Sequence, residues 1–284
     1  MNVNESSSDY GAGPRSIAIL TFLSLIAMIA VNALANALPL NGVNTGQLSD
    51  EIPNLFVPAG LTFAVWGVIY VLSIGYAATV LRTAFRKRST MPWTSADGLL
   101  FICNALANSA WIFAWHWRLI PLSMVLMLVI LGTLIALEER NFHRFLAGGA
   151  LAAGSHSPGS IRFFLTAPIN VYLGWICVAT IANLTALLVV LGWDGFGLSP
   201  VVWTVAVIIA GFAVALLLAL RRKAIEASLV VVWAYLGIVL KRTSVDPDAT
   251  RPIWISAAAA GIVILVVLGI MAYHRVFDIK TKTS

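Results

Sequence analysis

Three stretches of this chain repeat polar and aromatic side chains at the spacing of a helix. In YLGWICVATIAN, Trp175, Ala179 and Asn183 recur every four residues, with Tyr172 at the start. Four residues advance about 400° around an α-helix, so such a series drifts only about 40° per step and keeps to one face. Pro58, Thr62, Trp66 and Tyr70 repeat the same interval, while Asn104, Asn108, Trp111 and Trp115 fall at offsets 0, 4, 7 and 11. Asn32 and Asn36 make a shorter version. Indoles, phenols and carboxamides stack and hydrogen-bond, and gathered on inward helix faces they can line a pocket with aromatic walls and a few oriented amides. The same residues could instead be architectural, since Asn and Thr join membrane helices and Trp or Tyr populate membrane interfaces.

The elements that carry these faces must be membrane helices. Of 284 residues, 60% are hydrophobic and 11% charged, against about 25% charged in ordinary soluble domains; the mean hydropathy is +0.92. Lipid tolerates only helices or closed barrels, and the apolar runs are too long for barrel strands. The reading is an all-α integral membrane protein with about eight transmembrane helices. They lie near Ile17 to Leu38, Pro58 to Leu81, Leu99 to Trp117, Ile120 to Leu137, Phe164 to Leu191, Val201 to Leu220, Ala224 to Leu240 and Ile253 to Tyr273. The seventh is short and has Glu226 at its start, so a re-entrant or interfacial helix is the alternative there.

With the N-terminus cytoplasmic, 14 of the 18 Lys and Arg fall in cytoplasmic loops and tails, as the positive-inside rule requires. Both termini are therefore expected inside. The net charge of +6 comes mainly from these loop anchors, which leaves no case for a nucleic-acid partner. Ala35, Asn36 and Ala37 imitate a signal-peptidase site, but the apolar run before them exceeds a signal peptide's core. Cys103 and Cys177 lie within spans and read as small apolar packing groups. Trp93, Trp117, Trp193, Trp203 and Trp254, near span ends, read as interfacial belts, and His116 and His274 as interfacial. Asp97 reads as a charge complementing a helix N-terminus. The loop Pro39 to Val57 is long enough to cover the outer mouth of the bundle, and the Gly- and Ser-rich stretch Ala147 to Ser160, containing His156, reads as a flexible linker.

The three motifs together resemble the tryptophan-rich sensory protein family (TspO/MBR, the translocator protein family). Tyr172, Trp175, Ala179, Thr180 and Asn183 match its fifth-helix signature, Asn108 and Trp111 its Asn-x-x-Trp, and Pro58, Trp66 and Tyr70 its second-helix spacing. Val57 stands where the family usually has the first of two prolines, and Thr62 replaces an aromatic or aliphatic residue, with Phe63 next to it. The resemblance covers residues 16–192 and implies a five-helix bundle. A tail (1–15) would precede it, and a three-helix extension (193–275) and a tail (276–284) would follow.

What the resemblance further implies is an internal pocket for a porphyrin or haem-type tetrapyrrole, or a related lipid. Trp66, Tyr70, Asn108, Trp111, Tyr172, Trp175 and Asn183 would be its primary contacts, and Pro58, Thr62, Asn104 and Trp115 would be secondary. No cofactor or metal is required, and the expected partners are the bilayer, a small apolar ligand and a second copy in a homodimer. Uncoupled transport of an apolar molecule is the alternative; a membrane enzyme acting on an isoprenoid is less well supported, because no carboxylate or Lys/Arg falls mid-span.

Overall fold

The computed structural model describes residues 12–86, 92–147 and 159–283; the linker residues 148–158, with His156, lie outside the described residues. Nine α-helices and no strand are found among the described residues: α1 Ala12–Ala37, α2 Thr45–Glu51, α3 Val65–Ala84, α4 Ser95–His116, α5 Ile120–Phe145, α6 Gly159–Val190, α7 Pro200–Leu220, α8 Ile225–Val245 and α9 Arg251–Thr283. Local signals fix several starts. Asn44 and Gln47 form a reciprocal capping box on α2, and Thr94 and Asp97 do the same on α4, each satisfying backbone N–H groups that a helix start leaves open. Ser199 caps α7, with Pro200 in its first turn, where a missing N–H costs nothing.

Seven helices are long and apolar enough to cross a membrane: α1, α3 with the preceding 3-10 turn Gly60–Ala64, α4, α5, α6, α7 and α9. Their outward faces expose Leu20, Leu23, Val71, Val125, Ile262 and Val266, as a surface solvated by lipid tails does. The protein is an integral, multi-pass membrane protein. The eighth expected span is α8, whose 21 residues reach about 31 Å. It falls short on composition because Glu226, Lys241 and Arg242 charge its end turns. Neighbouring groups meet two of those charges: Asn170 donates to Glu226 at 3.1 Å, and Lys241 pairs with Asp50. Ala227, Val231, Ala234, Tyr235 and Ile238 of α8 are buried.

Helices α1, α4, α5, α6 and α3 close into a ring in that order, each packed on the next. The three helices that follow the ring, α7, α8 and α9, pack on one another and dock onto α6, chiefly through α8. The docking depends on absent side chains: a Cβ on Gly174 would overlap the backbone of Ala227, and one on Gly237 would overlap the Thr62 hydroxyl. In α6, Pro168 removes one rung of the helix ladder, and Asn141 donates to the nearby carbonyl of Leu165 at 2.7 Å.

One end of the molecule is tied by ion pairs. Asp97, beyond capping α4, pairs with Arg140 and with Arg144 (2.7 Å) of α5. Arg222, in the α7–α8 turn, reaches Glu138 at 2.8 Å and also Glu139. Burial works against the Arg222 charge, but the bonds to both glutamates outweigh it and raise its pKa above the usual arginine value. Since α8 starts beside this cluster and ends at Asp50, it runs the full height of the bundle.

Three expectations about isolated residues are corrected. Trp93 is buried, its Nε1 donating to Thr83 Oγ1 at 2.9 Å, so it closes the α3–α4 corner rather than joining a belt. Cys103 is exposed on the outer face of α4 rather than packed. His116 is fully buried at the end of α4 rather than interfacial. Its Nδ1 lies 2.7 Å from the Ile112 carbonyl one turn earlier in α4.

Candidate ligand site

At the end of the ring opposite the Asp97 cluster, a cavity of about 520 Å3 opens between α1, α3 and α4 and is covered by α2. Its aromatic wall is Phe63, Trp66, Tyr70 and Trp111; its polar wall is Asn32, Asn36, Asn44, Gln47 and Asp50. A second lobe, about 40 Å3, continues past Thr45, Phe63, Trp66 and Trp111 toward α6. Pro58, Trp115, Trp175, Ala179 and Asn183 line it. The four-residue spacing explains this, because Trp175, Ala179 and Asn183 present one face of α6 to the ring interior.

The aromatic groups brace one another. Trp66 stacks on Tyr70 at 5.7 Å and meets Tyr172 edge-on at 5.7 Å and Trp175 at 6.4 Å. Phe63 meets Trp175 edge-on at 5.6 Å, and Trp111 stacks on Trp115 at 5.8 Å. These edge-to-face and offset contacts suit the ring quadrupoles and hold the walls in place without a ligand.

The amides divide into two groups. Asn104 and Asn108 face away from the cavity. Asn104 donates to the Ile130 carbonyl at 3.1 Å and to Thr133 Oγ1 at 2.9 Å, joining α4 to α5. Asn108 donates to the Tyr172 hydroxyl at 2.7 Å and accepts from Asn32 at 2.7 Å. That chain links α1, α4 and α6 behind Trp66, so Tyr172 and Asn108 support the wall and do not line it. Thr62 is turned toward α8, against Gly237. Asn183 does line the second lobe, but its Oδ1 already accepts from Trp111 Nε1 at 3.0 Å and its Nδ2 lies 3.0 Å from Ser123 Oγ.

Two groups of the lining are left over, the Trp175 indole N–H and the Thr45 hydroxyl. The Trp175 indole N–H is buried and has no hydrogen-bond partner among the described residues, in a structure where the other buried seam amides and indoles mostly have partners. Ser123 was not among the residues singled out from the sequence, and α2 lies in the Pro39 to Val57 segment that was read there as a loop over the mouth. Ser123 is a lone polar residue in an apolar run with no periodic signal, whereas α2 announced itself in the Asn-x-x-Gln that forms its capping box. No group of three or more metal-ligating side chains occurs among the described residues.

Among family models, the one described as TSPO-like protein matches residues 18–271, including the three helices that follow the ring. No curated protein and no solved structure matches the chain.

Proposed function

The chain belongs to the TSPO-like protein family, and we propose that its five-helix ring is a membrane-embedded receptor for a flat, apolar ligand of the tetrapyrrole class, bound beneath α2 between α1, α3 and α4 and reaching α6 through the second lobe. Membership of the family points to ligand binding or transport within the membrane; the nature of the ligand is read from the lining. A planar body would lie against Trp66, Tyr70 and Trp111, with a polar edge turned toward Asn32, Asn36 and Gln47. The volume of about 520 Å3 is within the range of about 300 to 1,000 Å3 of small-molecule sites.

The observation that carries the reading is the Trp175 N–H. A buried donor with no partner costs about 1 to 3 kcal/mol, so it needs an acceptor in the second lobe, from water when the site is empty and from the ligand when it is filled. Asp50 is the one carboxylate in the lining of either lobe among the described residues, and Lys241 pairs with it. That lining favours binding over general acid-base catalysis.

Titration of the purified full chain with protoporphyrin IX tests this. Trp66, Trp111, Trp115 and Trp175 surround the cavity, so a bound macrocycle lies within energy-transfer range of all four. Tryptophan emission should fall to a plateau at a fixed ratio of ligand to protein. Quenching that rises without saturation, in step with partition of the dye into detergent, would contradict the proposal.

A further inference from the structure

At the Asp97 end of the molecule, bases and acids are unevenly matched. Asp97 is taken by Arg140 and Arg144, Glu138 and Glu139 by Arg222, and Glu226 by Asn170. Arg82, in the last turn of α3, and Arg86, just past its end, are exposed. Neither has an acidic partner among the described residues. Like charges brought to one site repel, and no acidic side chain among the described residues relieves them.

Both arginines line a cavity of about 260 Å3 between α3 and α6, together with Thr79, Thr83, Ser160, Ile161 and Phe164. The two threonine hydroxyls already donate to the carbonyls of Gly75 and Thr79 (2.8 and 2.7 Å). The free donors are therefore two guanidinium groups, the Ser160 hydroxyl and the backbone N–H groups in the first turn of α6. Two guanidiniums facing a helix N-terminus attract an anion with several acceptor oxygens. The remaining walls are apolar: Ile161, and Phe164, whose ring sits where a Cβ on Gly75 would be. Since α3 and α6 are both membrane spans, the cavity lies where lipid headgroups meet the tails.

We infer that this cavity binds the phosphate of an anionic phospholipid, its acyl chains running down past Ile161 and Phe164. Basic clefts between membrane helices recognise charged headgroups in this way. The site is separate from the ligand cavity, at the other end of the ring, and does not depend on the tetrapyrrole reading.

The test uses the full chain in detergent, with phosphatidylglycerol, phosphatidylcholine or inorganic phosphate added. Bound lipid is counted by native mass spectrometry and stability is read from the melting temperature. Phosphatidylglycerol should stay bound and raise the melting temperature, whereas phosphatidylcholine and inorganic phosphate at equal concentration should not. Arg82→Gln with Arg86→Gln should weaken phosphatidylglycerol binding roughly tenfold or more, as loss of a charge-assisted hydrogen bond does. Arg162→Gln with Arg221→Gln removes the same charge from the same end outside the cavity and should stay within roughly threefold of the native chain. Equal losses in the two pairs would overturn the proposal in favour of diffuse surface charge. Inorganic phosphate reproducing the whole shift would overturn the lipid assignment, leaving free phosphate as the occupant.

Discussion

Asn183 already commits its oxygen and one of its two N–H groups to neighbouring helices. With Trp111 donating to its oxygen and Ser123 beside its nitrogen, the carboxamide fastens α4, α5 and α6 together at the edge of the second lobe. Asn183→Leu should therefore act on stability, by about 0.6 and at most about 1.7 kcal/mol, as interhelical bonds in membranes do. Porphyrin affinity should change by less than roughly threefold. Melting and titration of the same preparation check this; a tenfold loss of affinity at unchanged melting temperature would make Asn183 a ligand contact. Helical spacing in the sequence was enough to put Trp66, Trp111, Trp115, Trp175 and Asn183 on inward faces. It was not enough to say which amides are already paired. The partners of Asn104 and Asn108 lie on other helices, at Thr133, Ile130, Tyr172 and Asn32, and local periodicity carries no record of them.

Among the elements, α8 decides whether the last three helices are part of the receptor or an attachment to it. It leans on the turn that starts α3: the Ala59 N–H donates to the Gly237 carbonyl at 3.0 Å, and Trp233 Nε1 donates to the Thr62 carbonyl at 2.9 Å. It also holds α2 through Lys241 and Asp50. Gly237→Val should force α8 off that turn, at about 1 to 3 kcal/mol for overpacking, and should change ligand exchange because Pro58 and Phe63 line the cavity lobes. Gly269→Val, with open space around its Cβ, should alter neither melting temperature nor exchange rate. Normal exchange in Gly237→Val despite a lowered melting temperature would make the extension a passive attachment. The apolar runs in the sequence located the seven apolar spans because lipid imposes length and composition together, and the short apolar middle of α8 was enough to place that helix as well. The close approaches at Gly174 and Gly237 were not legible there, since a glycine in an apolar run looks the same whether or not a neighbouring helix touches it.

For the whole molecule, charge sets the orientation and the ring interior sets the binding. Basic residues crowd the Asp97 end, and we expect that end in the cytoplasm and α2 outside, with both termini inside. Reporter fusions at Arg86, Arg222 and the C-terminus should read cytoplasmic and one at Asp50 external; an external C-terminus with a cytoplasmic Arg222 would mean that α8 does not cross. The claim that the ring is a receptor is tested most directly by Trp175→Phe, measured for porphyrin affinity and for ligand-free melting temperature, beside Trp254→Phe, whose indole donates to the Pro247 carbonyl outside the cavity. The phenylalanine keeps most of the packing and removes a donor that has no protein partner. Affinity should fall about 5- to 13-fold, the equivalent of one buried hydrogen bond of about 1 to 1.5 kcal/mol, while the empty protein melts at the same temperature or higher. Trp254→Phe should bind as the native chain does. Unchanged affinity in Trp175→Phe, with the melting temperature lowered, would contradict the account and leave the Trp175 face as packing between helices.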